Sequence, residues 1–175
     1  MPVRQAGFFL LALAGVYGLA WFCIEIPERS GLVAPIWLAN GFLLALSLRA
    51  PSSGWPMLMI AGFAGNLLAY PGFQDALDSA VHFAASDVVE VLIALLLIRT
   101  LIGAAPDFSS RRDLILFIVV CGLIAPGAGT LVASGHLTGE PFDRPAGQMI
   151  RWMVANAMGL LVATPLLLAL ADMRE

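Results

Sequence analysis

The sequence predicts an all-α membrane protein, a bundle of about six transmembrane helices with both termini in the cytoplasm. Of its 175 residues, 60% are hydrophobic and only 12% are charged, and the mean hydropathy is +0.90. In soluble domains the charged fraction is about 25%. Apolar stretches long enough to cross about 30 Å of hydrocarbon recur along the whole chain. The charged residues between them are arranged asymmetrically, which indicates an orientation.

Six apolar stretches, separated by turns rich in proline, glycine and charge, are the predicted spans. They run approximately over residues 5–26, 32–49, 54–70, 79–102, 112–134 and 147–171. These spans leave no room for a soluble domain, so we expect residues 1–175 to form one integral-membrane domain in the lipid bilayer. Pro126 and the glycines after it predict a kink or break within the fifth span, because proline removes a backbone donor.

The basic residues predict the orientation. All nine are arginine. One set of span ends carries Arg4, Arg49, Arg99, Arg111, Arg112 and Arg174, and the other set carries Arg29, Arg144 and Arg151. The positive-inside rule places the richer set, and with it both termini, in the cytoplasm. The net charge of −3 indicates no nucleic-acid partner.

The two cysteines, Cys23 and Cys121, lie inside predicted spans and suggest neither a disulfide nor a zinc site. No metal motif and no cofactor motif is present in the sequence. The absence of a nucleophile or His-Glu-x-x-His motif also argues against an intramembrane hydrolase. We therefore expect a protein that is not an enzyme.

The fourth span carries the most informative polar residues. Between Ser79 and Ile102, an otherwise apolar stretch contains His82, Ser86, Asp87 and Glu90. A carboxylate near the bilayer centre costs roughly 2.5–3.5 kcal/mol even on the translocon insertion scale. At about 100° per residue the four side chains fall within roughly 140° of each other, so they share one helix face. Two carboxylates retained there indicate a function.

The other buried polar residues fall in the same layer, from the outer interface to about mid-membrane. They are Asn40, Asn66, Arg151 and Asn156. We expect these residues, with His82, Asp87 and Glu90, to line a polar pocket that opens to the outer side and takes a small ligand or ion. The loop from Gly135 to Gly147 is then a candidate lid or rim. Trp37 and Trp152 are expected to wall the pocket or to anchor at the outer headgroups.

A buried arginine in this layer should pair with a carboxylate, because an isolated charge is far costlier there. The expected pair is Arg151 with Asp87 or Glu90. The alternative is that the polar residues only hold the helices together through interhelical hydrogen bonds, which average about 0.6 kcal/mol each. His82 is expected to be an interface residue rather than a metal ligand.

Several stretches together resemble the MASE1 family of bacterial membrane-associated sensor domains. They are IWLANGFLLALSLR from Ile36, FAGNLLAYP from Phe63, SDVVEVLIALLLIR from Ser86, RRDLILFIVVCGLIAPGAGTLVA from Arg111 and WMVANAMGLLVATPLLLAL from Trp152. Their order and spacing cover nearly the whole chain, and the block from Gly159 to Leu168 is the most specific. The positions that match the family pattern are Trp37, Asn40, Gly41, Asn66, Glu90, Gly159, Thr164 and Pro165.

The resemblance implies a sensory module of the bacterial inner membrane that controls a cytoplasmic output domain. That output is usually a diguanylate cyclase, a cyclic-di-GMP phosphodiesterase or a histidine kinase of a two-component system. The resemblance also implies a longer protein, or an output partner on a separate polypeptide; a homodimer is compatible with it. Two positions depart from the pattern: Asp87 stands where a neutral amide is common, and Asn156 where an aspartate is common.

A second function from another class fits the same length and span number. It is a substrate-binding membrane subunit of a vitamin importer, which also has an outward pocket. Such a subunit needs small residues along its first span to dock the transport partner, and Ala12, Val16 and Ala20 fit this requirement weakly.

Overall fold

The computed structural model describes residues 2–29, 36–70, 77–136 and 145–173, and this part of the chain is helical without strands. Its six helices are α1 (Pro2–Arg29), α2 (Leu38–Arg49), α3 (Trp55–Ala69), α4 (Leu77–Leu101), α5 (Arg111–Ala133) and α6 (Pro145–Asp172). Short 3₁₀ turns precede α3 and follow α5. The predicted all-α fold is confirmed.

Four of the helices are long and apolar enough to cross a membrane: α1, α4, α5 and α6. The helices α2 and α3 have 12 and 15 residues. At 1.5 Å per residue they extend about 18 and 22 Å, which is less than the roughly 30 Å of a hydrocarbon core. Among the described residues, two of the six predicted spans are therefore shorter than a full crossing.

The short helix α2 lies in the middle of the bundle. It packs against α1, α3, α4 and α6, and α5 fills the space between α4 and α6. Most of α2 is buried. Non-helical backbone at membrane depth is tolerated only where protein or water satisfies it. This condition is met before α2, because the Trp37 N–H donates to the Ala155 carbonyl of α6 at 2.9 Å.

Of the kink or break predicted at Pro126, the break does not occur, since α5 is continuous, but the helix is irregular at the predicted place. A π-helical turn occupies Val120–Ile124, directly before the proline, and the Ala125 N–H donates to the Val120 carbonyl five residues back. Proline cannot donate to the carbonyl four residues earlier, and its ring clashes with that carbonyl in a regular helix. The wider turn changes the hydrogen-bond register just before Pro126, so the helix absorbs the proline without ending.

Arginines gather at the end of the bundle where α2, α4 and α6 finish and α3 and α5 begin, which we call the arginine end. Arg99 donates to the Ala50 carbonyl at 2.7 Å, and Arg112 donates to the Leu101 carbonyl at 3.0 Å. Arg49 forms an ion pair with Asp172. The helices thus alternate in direction, and the described arginines of the richer set share one end as the sequence predicted.

Candidate functional site

Four buried side chains meet near the middle of α4 and α6, beside the start of α2, and form what we call the polar cluster: Asn40 of α2, Asp87 and Glu90 of α4, and Asn156 of α6. Their exposed fractions are 0%, 0%, 0% and 2%. The amide nitrogen Nδ2 of Asn40 lies 3.0 Å from Asp87 Oδ1, 3.4 Å from Glu90 Oε1 and 2.9 Å from Asn156 Oδ1. One amide group therefore connects three helices.

Two glycines bring α2 close enough to α6 for this contact. A Cβ on Gly41 would lie 2.3 Å from the Gly159 carbonyl oxygen, and a Cβ on Gly159 would lie 1.8 Å from the Trp37 carbonyl oxygen. Small residues allow helix backbones to approach in this way inside membranes. The Thr164 hydroxyl also donates to the Gly41 carbonyl at 3.2 Å. We call this contact the glycine interface.

A third glycine sets the distance between α4 and α5. The Ser86 hydroxyl donates to the Gly129 carbonyl at 2.6 Å. A Cβ on Gly129 would lie 2.9 Å from Glu90 Oε2. The Glu90 carboxylate is thus confined between the amide of Asn40 on one side and the backbone of α5 on the other.

Four aromatic rings cover the polar cluster, and we call them the aromatic cap: Trp37, Tyr70, Phe83 and Trp152. Trp37 and Tyr70 stack with ring centroids 5.7 Å apart, Tyr70 and Phe83 lie 5.6 Å apart, and Phe83 and Trp152 lie 4.9 Å apart. The Tyr70 hydroxyl donates to Asp87 Oδ2 at 3.0 Å. The cap therefore joins the cluster directly through one phenol.

Several buried polar atoms in and around the cluster have no hydrogen-bond partner. They are Asn40 Oδ1, Glu90 Oε2, both amide atoms of Asn66, and the indole nitrogens of Trp37 and Trp152. Such atoms are costly to bury, and native proteins keep few of them. Their concentration here indicates a place where a ligand, an ion or a proton completes the bonding.

Comparison with protein families assigns the chain to a family. The MASE1 family model matches residues 7–175. The chain belongs to the MASE1 family. This is a family of membrane-associated sensor domains, which supports a membrane sensory role for the chain. Comparison with curated proteins and with solved structures finds no match.

Six of the eight residues through which the sequence resembles MASE1 domains, all except Asn66 and Pro165, are brought together in this structure. Trp37, Gly41, Gly159 and Thr164 form the glycine interface. Asn40 and Glu90 belong to the polar cluster beside it. The resemblance thus lies largely in one helix contact and the buried polar group that this contact positions.

The two departures from the MASE1 pattern also meet. Asp87 and Asn156 both accept from the same Asn40 nitrogen, from opposite helices. An exchange of amide and carboxylate between these two positions would leave the Asn40 contacts and the number of charges unchanged. The structure therefore gives a physical basis for the exchange that the resemblance implies.

The expected ion pair of Arg151 with Asp87 or Glu90 is wrong. Arg151 is exposed on α6, and among the described residues Asp87 and Glu90 are bonded by neutral amide and phenol donors. The reason is helical geometry. Arg151 lies five residues before Asn156, and in this structure Asn156 faces the cluster while Arg151 lies at the exposed surface of α6.

His82 also lies outside the polar cluster. Its Nδ1 lies 2.8 Å from the Asp78 carbonyl oxygen of the preceding turn, and its side chain is 42% exposed. Asn66 is buried but contacts none of the four cluster side chains through a hydrogen bond. Of the predicted site residues, the cluster and cap thus contain six: Asn40, Asp87, Glu90, Asn156, Trp37 and Trp152.

In the described part of the chain Asp87 and Glu90 are completely buried beside the aromatic cap, and the predicted pocket open to the outer side stays a prediction. The sequence reasoning did not include Tyr70 or Phe83. Each had a usable signal: Tyr70 follows Asn66 by four residues and Phe83 precedes Asp87 by four, so each shares a helix face with a predicted residue. Most of the predicted lid, 135–147, lies outside the described residues. The described residues contain no group of three or more His, Cys, Asp or Glu suited to a metal ion.

Proposed function

We propose that this chain is the sensory module of a bacterial inner-membrane signalling protein, with the polar cluster as its signal-receiving centre. In this proposal a small ligand or ion arrives from the outer side, and the output domain is cytoplasmic: a diguanylate cyclase, a cyclic-di-GMP phosphodiesterase or a histidine kinase. Family membership supports the sensory role. The arginine end faces the cytoplasm, as the positive-inside rule favours.

The observation that carries the proposal is the continuity of α6 from the cluster to the arginine end. This helix contributes Asn156 to the cluster and reaches Asp172, which pairs with Arg49 at the end of α2. Because the glycine interface fixes α2 on α6, a change in the cluster shifts both helices together. A ligand drives such a shift only through its different affinities for the two packings.

The importer alternative gains no support from the structure. It requires small residues of the first helix to be free for a transport partner. Ala12, Val16 and Ala20 are each 0% exposed, and Val16 packs against Gly65 of α3. They hold α1 inside the bundle instead.

The proposal is tested by joining the end of α6 to a diguanylate cyclase domain and measuring cyclic-di-GMP across growth conditions. Glu90→Gln keeps the side-chain shape but removes the charge, and we expect it to abolish the difference between conditions at normal membrane abundance. Asp78→Asn is the matched control, because Asp78 lies on the same helix with its side chain 80% exposed. A Glu90→Gln fusion that responds as the parent fusion does would refute the cluster as the receiving centre.

A further inference from the structure

The polar cluster is short of hydrogen-bond donors. Its acceptors are the four carboxylate oxygens of Asp87 and Glu90 and the amide oxygens of Asn40 and Asn156. Its donors are the Tyr70 hydroxyl, the two hydrogens of Asn40 Nδ2, which face three acceptors, and Asn156 Nδ2, which donates to the Trp152 carbonyl outside the cluster. Glu90 Oε2 and Asn40 Oδ1 remain without partners. The site lacks a positively polarised hydrogen or a cation.

The cluster is also short of positive charge. Asp87 and Glu90 lie one helical turn apart and are completely buried. No arginine or histidine of the described residues lies within hydrogen-bond or ion-pair distance of either carboxylate. Two like charges in such a site repel each other strongly, and a single added proton removes the repulsion.

The space around Glu90 favours a proton over a metal ion. A Cβ on Gly129 would lie 2.9 Å from Glu90 Oε2, so this oxygen lies close to the α5 backbone, and the described residues place no group of three or more His, Cys, Asp or Glu around it. A metal ion needs several oxygen ligands arranged around it, whereas a proton needs only one oxygen and no added volume.

We infer that Asp87 and Glu90 together bind one exchangeable proton, which is the ligand of the sensor proposed above. Uptake adds a proton from water to one carboxylate oxygen and lowers the pair from two negative charges to one; release returns the proton to water. The proton moves between water and Asp87 through the Tyr70 hydroxyl, which belongs to a half-buried ring of the cap and donates to Asp87 Oδ2. This identification depends on the proposed function only for its role as a signal.

The other groups around Asp87 and Glu90 do not change the inference that these two carboxylates hold the proton. From α3 the titratable neighbour is Tyr70, and from α5 it is the buried thiol of Cys121. From α2 and α6 the neighbours are the amides of Asn40 and Asn156, which do not titrate. Within the cluster the shared proton therefore belongs to the carboxylates.

Infrared difference spectroscopy of the full chain in lipid nanodiscs, between acidic and alkaline buffers, detects the proton directly. We expect a carbonyl band of a buried carboxylic acid that is lost in Glu90→Gln and in Asp87→Asn but kept in Asp78→Asn. Fluorescence of Trp37 and Trp152, with Trp21 and Trp55 replaced by Phe, should titrate with the same midpoint whether the buffer contains sodium or choline. Tyr70→Phe, which removes only the hydroxyl, should slow proton exchange and provides a second test if the carboxylate variants do not fold.

Absence of a carboxylic-acid band at every pH, or a fluorescence change driven by sodium at constant pH, would overturn the proton assignment. If the band is absent while Glu90→Gln still abolishes the cyclase response, the assignment fails and the sensory role of the cluster stands. If the band titrates while the cyclase output ignores pH, the proton site is real and the proposed signalling role of the cluster fails.

Discussion

Asn40 holds the polar cluster together, because its single amide nitrogen faces oxygens from α4 and α6 at once. An amide hydrogen bond of this kind links helices without adding charge, and in membranes such bonds average about 0.6 kcal/mol. The cost of leaving a buried acceptor unpaired is larger, about 1–3 kcal/mol. At the scale of residues, the stability of the cluster therefore depends more on the positions of its charged groups than on the number of hydrogen bonds that each group makes.

The first residue-scale prediction exchanges the two positions that depart from the family pattern. Asn156→Asp alone places a third carboxylate on the Asn40 amide and should lower the thermal stability strongly. Asp87→Asn alone removes a charged acceptor of Asn40 and Tyr70. The double variant again leaves two carboxylates, one of them Glu90, and one amide oxygen around Asn40, so we expect it to recover stability beyond the sum of the single effects, with a coupling of about 0.5–3 kcal/mol.

The measurement is the unfolding midpoint of the four proteins in one detergent at one pH. A similar charge exchange at two other positions, Asp78→Asn combined with Gln148→Glu, serves as a control, because these residues lie outside the cluster. Simple additivity of the cluster substitutions would show that Asp87 and Asn156 do not share the Asn40 amide.

At the scale of elements, the central feature is the close approach of α2 and α6. Helix packing between lipid-embedded segments has no hydrophobic driving force from water. Close backbone contact at small residues stabilises the packing instead. The glycine interface also fixes where α2 begins, because the N–H of Trp37, the residue before the helix, donates to the Ala155 carbonyl of α6. The position of Asn40, three residues later, follows from that contact.

We predict that Gly159→Ala destabilises the bundle and disturbs the polar cluster. Its added methyl group would lie 1.8 Å from the Trp37 carbonyl oxygen, which belongs to backbone and cannot rotate away. Forced overpacking of this kind costs about 1–3 kcal/mol. Gly147→Ala on the same helix is the matched control, because nothing lies within 4 Å of the added Cβ. Thermal unfolding monitored by tryptophan fluorescence should separate the two variants, and equal midpoints would contradict the described contact.

At the scale of the whole molecule, the sequence predicted more about chemistry than about geometry. Glu90, Asp87, Asn40 and Asn156 were recognisable because buried polar groups are rare at membrane depth. The lengths of α2 and α3 were not predictable from hydropathy, because a helix enclosed by other helices need not span the bilayer itself. The π-helical turn before Pro126 depends on how α5 packs, and periodicity does not encode it.

Arg151 shows the same difference between chemistry and geometry. Depth along the helix placed it in the polar layer, but depth does not specify the direction in which a side chain points. Only the contact that turns Asn156 inward decides that Arg151 faces away from the carboxylates. An angle of about 140° between Arg151 and Asn156 is compatible with one shared face, so depth and angular position together did not separate the two residues from sequence alone.

The orientation of the whole bundle yields the last prediction. The buried cysteines Cys23 and Cys121 are replaced by alanine, and one new cysteine is introduced at an exposed position. Ser53→Cys lies at the arginine end and Gly135→Cys at the opposite end. In intact cells with a permeabilised outer membrane, we expect a membrane-impermeant maleimide to label Cys at position 135 and to leave position 53 unlabelled. After the inner membrane is opened, both positions should react to similar extents.

This pattern follows from the positive-inside rule, since Arg49, Arg99, Arg111 and Arg112 share the end that contains position 53. It bears directly on the sensory mechanism, because only this orientation connects the Tyr70 route to the outer side and the end of α6 to a cytoplasmic output. Labelling of position 53 in intact cells would show that the bundle has the opposite orientation in the membrane. The polar cluster would then face the cytoplasm, and α6 would end on the outer side, where no cytoplasmic cyclase or kinase could receive its movement.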